Sequence, residues 1–141
     1  MTTLEIVVNG IPAPQGSKRH VGGGRMIESS KAVGPWREAV RAETQRQHDG
    51  DPLDGPLRVS MVFALPRPRG HYGAAGRLRP SAPAWPAVKP DVDKLVRSTL
   101  DGLVAGGAIA DDARVVALNV AKAYSGAGVT PGVVIRVDVV A

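Results

Sequence analysis

The stretch Lys89-Pro90-Asp91-Val92-Asp93-Lys94-Leu95-Val96-Arg97-Ser98-Thr99-Leu100-Asp101-Gly102-Leu103-Val104-Ala105-Gly106-Gly107, running on through Asp111-Asp112 to Val115-Val116-Ala117-Leu118-Asn119-Val120, changes its apolar pattern once. From about Lys94 to Ala105 the apolar residues Leu95, Val96, Leu100, Leu103 and Val104 recur at helical spacing, and Gly106-Gly107 supplies a stop. Val115–Val120 is short and rich in β-branched residues, as a strand is. A helix returned by a short turn to a strand predicts an α/β arrangement, with the helix laid on a sheet.

On the N-terminal side, Leu57–Phe63 (Leu-Arg-Val-Ser-Met-Val-Phe) alternates like a strand, and Asp49-Gly50-Asp51-Pro52 breaks the chain before it. Residues 35–47 are good helix formers, with Trp36, Ala39 and Val40 on one face and Pro35 suited to the first position. Leu4–Val8 reads as a first strand ended by the turn Asn9-Gly10. On the C-terminal side Val133–Val139 reads as a last strand, and the turn-rich Ser125–Gly128 predicts that it pairs with 115–120 as an antiparallel hairpin. The expected fold is one α/β domain over residues 1–141, a mixed sheet of about four strands with two helices, in the order β-α-β-α-β-β. At 141 residues the chain suits one domain and not two.

Two segments fall outside this framework. Residues 11–34, with prolines, Gly22-Gly23-Gly24 and the basic Lys18, Arg19, Arg25 and Lys31, read as a basic loop without a long regular element. Residues 66–90 hold six prolines and three glycines, and between Ala64 and Pro90 there are five Lys or Arg and no acid. That basic Pro/Gly-rich segment reads either as an ordered loop or as a disordered linker. Its aromatics Tyr72 and Trp85 suit stacking on unpaired bases or local packing, whereas Trp36 suits the core.

The charges are distributed unevenly. The net charge of +5 suits a polyanionic partner, because lysine and arginine gain free energy from the counterions that phosphates release. Five of the thirteen acids, Asp91, Asp93, Asp101, Asp111 and Asp112, fall between residues 91 and 112. Pro90 biases the chain before Asp91 toward extended structure, and in an extended segment 91 and 93 share a face. In a helix they diverge by about 200°, so one shared ligand is reasonable only at a helix mouth. The plain alternatives are an N-cap role for Asp93 and a solvated turn at Asp111-Asp112. Together, the two pairs are expected to be brought near each other by the helix and its return to the sheet. Carboxylates held close require a cation or raised pKa values, and oxygen-only ligands favour Mg²⁺, with Mn²⁺ as a substitute. Such a site suits phosphoryl transfer. Lys94 and Arg97 lie on the same helix, where Arg97 suits a phosphate contact or an exposed helical face, and Asp101 suits an i,i+4 pair with Arg97.

Other chemistries find less support. With no cysteine there is no disulfide framework, thiolate zinc site or cysteine nucleophile. His20, His48 and His71 lack metal-ligand spacing, and Gly22-Gly23-Gly24-Arg25 lacks the lysine and hydroxyl of a phosphate loop. Met1–Gly10 does not read as a signal peptide and no apolar run approaches a bilayer's width, so a soluble cytoplasmic protein is expected.

The run from Lys89 to Leu103, followed by Ile109-Ala-Asp-Asp-Ala-Arg-Val-Val116, resembles the signature of the RusA family of Holliday junction resolvases. Asn9-Gly-Ile-Pro-Ala-Pro-Gln-Gly-Ser-Lys-Arg19 and the Trp36-Arg37 helix resemble phage-type members more loosely. The resemblance implies a RusA-like fold and a homodimer that makes paired nicks in opposite strands of a four-way DNA junction, in a bacterial or phage-infected cell. It also implies Mg²⁺ ligation by Asp91, Asp93 and Asp112, with Asp111 adjacent. The position of the family's assisting lysine holds Arg97, and that of a usual asparagine holds Lys94. Arginine keeps the charge but cannot readily give up a proton, so electrostatic help at 97 survives while acid–base chemistry does not. Expected DNA contacts are Lys18, Arg19, Arg25, Arg67, Arg69, Arg77, Arg79, Lys89 and Lys94. The alternatives are a non-cleaving branched-DNA-binding protein of this fold and a metal-dependent nucleotide hydrolase.

Overall fold

The period-2 alternation of Leu57, Val59, Met61, Phe63 and Leu65 puts all five on one buried face. That face is the centre of the core in the computed structural model, which describes residues 3–16, 18–20, 26–28, 31–126 and 128–140, with 18–20 and 26–28 described as backbone only. The elements are β1 (Thr3–Asn9), β2 (Lys18–His20), β3 (Met26–Glu28), α1 (Val33–Gln47), β4 (Leu57–Leu65), α2 (Val92–Ala105), β5 (Val115–Tyr124) and β6 (Gly132–Val139). Strands β1, β6, β4 and β5 form one mixed sheet in that spatial order, so the α/β class and the order β-α-β-α-β-β hold for the main sheet. Within the basic loop, β2 and β3 make a separate short antiparallel pair. Helix α1 begins at Val33, two residues before Pro35, and the proline lies within the first turn, where no helical N–H is required.

The expected hairpin of the last two strands does not form. β5 instead pairs parallel to β4, and β6 inserts between β1 and β4, antiparallel to both. The reason lies in burial. β6 contributes Val133, Ile135 and Val137 to the core and takes a central place, while β5 has no fully buried residue and takes an edge. Segment β4-α2-β5 is therefore a strand–helix–strand crossover. Gly132 makes the central insertion possible, because a Cβ there would lie 2.0 Å from the Val8 carbonyl oxygen on β1.

One face of the sheet packs on both helices through Ile6, Val8, Met61, Phe63, Ile135, Trp36, Val40, Leu95 and Leu103. The helices meet closely. Gly102 of α2 and its C-cap Gly106 stand against Val40 and Thr44 of α1, and the Trp36 indole N–H donates to Thr99 Oγ1 at 3.1 Å. This crossing holds the C-terminal half of α2 in place over the sheet. No helix among the described residues is long and apolar enough to cross a membrane.

Candidate active site at the mouth of the second helix

Extended structure ends at Asp91 (φ −69°, ψ 138°), which is the N-cap of α2, and Val92 and Asp93 are already helical. Two expectations are thereby corrected: Asp91 to Asp93 is not one extended run, and the cap is Asp91 rather than Asp93. Six consecutive residues from Val92 to Arg97 are free of proline and glycine, so helix formation starts as soon as the chain leaves Pro90. Asp91 makes no side-chain capping bond, and Asp93 has no hydrogen-bond or ion-pair partner among the described residues. Both are exposed at the end of the helix where its dipole favours negative charge. Lys94 Nζ stands 3.7 Å from Asp91 Oδ2. One turn on, Arg97 is exposed and unpaired among the described residues. Asp101 does not pair with it, because Arg37 of α1 reaches across the helix crossing to Asp101 at 3.7 Å.

Asp111 and Asp112 lie where the chain turns into β5. Asp111 accepts from the Ala113 N–H at 2.9 Å. That bond, and then its hydrogen bond with Asp112, hold the Asp111 carboxyl below the usual range. Asp112 moves the other way, raised by the shared hydrogen bond with Asp111, then by burial and by the charges of Asp111 and Asp101. Among the described residues no three histidine, aspartate or glutamate side chains are arranged to hold one metal ion. The four aspartates thus stand as two pairs, one at each end of the helix's return path.

Of the expected DNA contacts, Arg25 and the side chains of Lys18 and Arg19 lie outside the described residues. Arg69, Arg77 and Lys89 are exposed on the 66–90 loop. Arg79 is also exposed, although its Nε donates to the Tyr72 carbonyl at 3.1 Å. Arg67 is engaged within the protein: it donates to the Pro83 carbonyl at 2.7 Å, lies 3.2 Å from His71 Nδ1, and stacks its guanidinium 4.2 Å from the Tyr124 ring centre. Its charge holds the loop to β5. The segment is therefore an ordered loop and not a linker, with two short 3-10 turns (Arg69–His71 and Ala74–Gly76) and a Tyr72–Leu78 bridge. Trp85 is 64% exposed on it, against 2% for the core Trp36.

Both basic segments run to the mouth of α2. The chain leading to β2 crosses the first turns of the helix, where the Gln15 N–H donates to the Lys94 carbonyl at 3.0 Å and Ser98 Oγ to the Ala13 carbonyl at 2.7 Å. The 66–90 loop ends there too. Its last carbonyls, of Val88 and Pro90, accept from Lys122 Nζ of β5 at 2.8 and 2.9 Å. Sequence reasoning missed Lys122 and Tyr124. The available signals were a lysine inside an otherwise apolar strand and an aromatic at its end.

The chain is therefore a small basic α/β protein whose exposed carboxylates open at a helix mouth between two basic segments. The family model described as Endodeoxyribonuclease RusA matches residues 8–138, nearly the whole chain, and the chain belongs to that family. It is accordingly a nuclease acting on DNA, and the family's activity is the resolution of Holliday junctions. Among curated proteins none matches the chain.

Proposed function

We propose that this chain resolves four-way DNA junctions as a Mg²⁺-dependent homodimer, making paired symmetric nicks. The observation that carries the reading is the pair of exposed carboxylates, Asp91 and Asp93, left without capping bonds at the mouth of α2 and flanked by Lys94 and Arg97. The donor set suits a hard divalent ion. It is oxygen-only, and Asp112 already has a raised affinity for a proton that a cation can replace. Asp91 and Asp93 would hold the ion, and Asp112, with Asp111 beside it at the other end of the helix's return path, would join them only from the second copy of the proposed homodimer. When bound, it supplies Lewis-acid activation of water and neutralises charge on the phosphate.

The protein groups have separate tasks. Arg97, free of an ion pair, is available to a phosphate oxygen and stabilises charge without transferring a proton. Asp101, drawn to Arg37, leaves Arg97 unneutralised. Arg69, Arg77, Arg79 and Lys89 face solvent on a loop anchored beside the site, as contacts to a DNA backbone require. The test is a synthetic four-way junction incubated with Mg²⁺ and either the wild type or Asp93→Asn. Loss of a ligand is expected to exceed the about 10–100-fold cost of losing an outer partner of a metal site. Equal cutting by the variant overturns the assignment.

One observation favours a second reading, a branched-DNA-binding protein that does not cut: the aspartates stand as two pairs and not as one cluster. Junction binding in EDTA, with no cleavage on restoring Mg²⁺ or Mn²⁺, would establish it.

A further inference from the structure

Lys122 lies opposite the buried Phe63 in the β4–β5 register, so its side chain projects on the helix-covered side of the sheet. There it is half-buried and has no carboxylate partner among the described residues. Its ammonium instead donates to two backbone carbonyls, those of Val88 at 2.8 Å and Pro90 at 2.9 Å. These carbonyls flank Lys89, and Asp91 follows Pro90 directly. On its other side Asp91 is held by the helix, where its carbonyl accepts from the Leu95 N–H at 3.1 Å. The backbone of Asp91 is thus tied from the sheet on one side and from the helix on the other.

Charged donors make hydrogen bonds about twice as strong as neutral ones. A strand is also a firmer support than the proline-rich loop it grips, and a ligand held by rigid second contacts keeps its geometry. We propose that Lys122 is a positioning residue for the reaction: by gripping the Val88 and Pro90 carbonyls it sets the direction in which the Asp91 carboxylate leaves the chain. The inference rests on the reading of Asp91 as a metal ligand. Lys122 itself touches neither substrate nor ion.

The test uses the full chain with Lys122→Met, Lys122→Gln, Lys122→Arg and Asp91→Asn. Mn²⁺ binding without DNA is followed by titration calorimetry, junction binding by mobility shift in EDTA, folding by thermal melting without metal, and cleavage as kcat and KM. Lys122→Met and Lys122→Gln are expected to weaken Mn²⁺ binding by about 10–100-fold and to lower kcat, with KM, junction binding and the metal-free melting temperature close to wild type. Lys122→Arg, whose guanidinium can donate to both carbonyls, is expected to recover most of the loss. If Asp91→Asn weakens Mn²⁺ binding but both truncations leave it within about twofold, the positioning role is overturned and the ligand reading stands. A fall in melting temperature with no change in Mn²⁺ affinity reduces Lys122 to a structural clamp. Should Asp91→Asn leave Mn²⁺ binding unchanged, both inferences fall together.

Discussion

Asp138 shows how a single residue carries a measurable electrostatic signature. It lies in the central strand β6, accepts from Thr3 Oγ1 at 2.7 Å and stands 3.3 Å from Arg136 Nε. The Thr3 hydroxyl bond first, and then Arg136, hold its carboxyl below the usual range against the opposing effect of burial. A folded-state pKa below the unfolded value means stability that is present above the unfolded pKa and lost as pH falls through the folded one. Asp138→Asn is therefore expected to melt below wild type at neutral pH, and the gap is expected to close as pH falls below about 4. Thermal melts across that range decide it, and a gap independent of pH would assign the effect to packing. At this scale the acids at 91, 93, 111 and 112 were legible as a group from their spacing. The Asp101–Arg37 and Lys122–carbonyl contacts were not, because each joins residues from different elements.

The two helices are the element on which the site depends. A Cβ at Gly102 would lie 2.6 Å from Val40 Cβ, and one at Gly106 would lie 2.6 Å from Thr44 Cβ. The α1–α2 crossing closes to this distance because α2 presents hydrogen where other residues carry carbon. Gly102→Ala is expected to lose about 1–3 kcal/mol through overpacking, less the part of about 1 kcal/mol that alanine restores by helix propensity. Urea denaturation measures the net loss. A stabilised variant would show that the seam yields at no cost. The sequence pattern places the body of the helix and its stop, and Gly106-Gly107 reads in it as punctuation. That Gly106 also admits Thr44 depends on which helix packs there, and periodicity within α2 carries no such information. The 66–90 segment is similar: its composition allows either an ordered loop or a linker, and contacts of Arg67 and His71 with Tyr124, more than fifty residues away, decide for order.

For the whole molecule, the sheet face opposite the helices is not covered by any element among the described residues. Val7, Val134 and Val62 lie side by side across β1, β6 and β4, and each is about half exposed (48%, 51% and 49%). Apolar side chains aligned across three strands suit a second copy better than solvent, and a two-fold axis places the same patch on both chains. The proposed homodimer is expected to bury this row. Sedimentation should give a dimer for the wild type and a monomer for Val134→Lys, with junction nicks no longer paired. A Val134→Lys protein that remains dimeric moves the interface elsewhere.

The local sequence determined the α/β class, the order of the main elements, the charge that suits a polyanion and the residues that carry the family resemblance, because each is written in patterns shorter than about twenty residues. Tertiary structure decided the rest. Which strand lies beside which is a contest for burial, won by β6 for the centre and lost by β5 to the edge, and no segment carries the result of a contest with another. The same holds for the site. Spacing put the aspartates in two pairs, but only the helix crossing, the anchored loop and the grip of β5 on the chain before Asp91 establish what surrounds them.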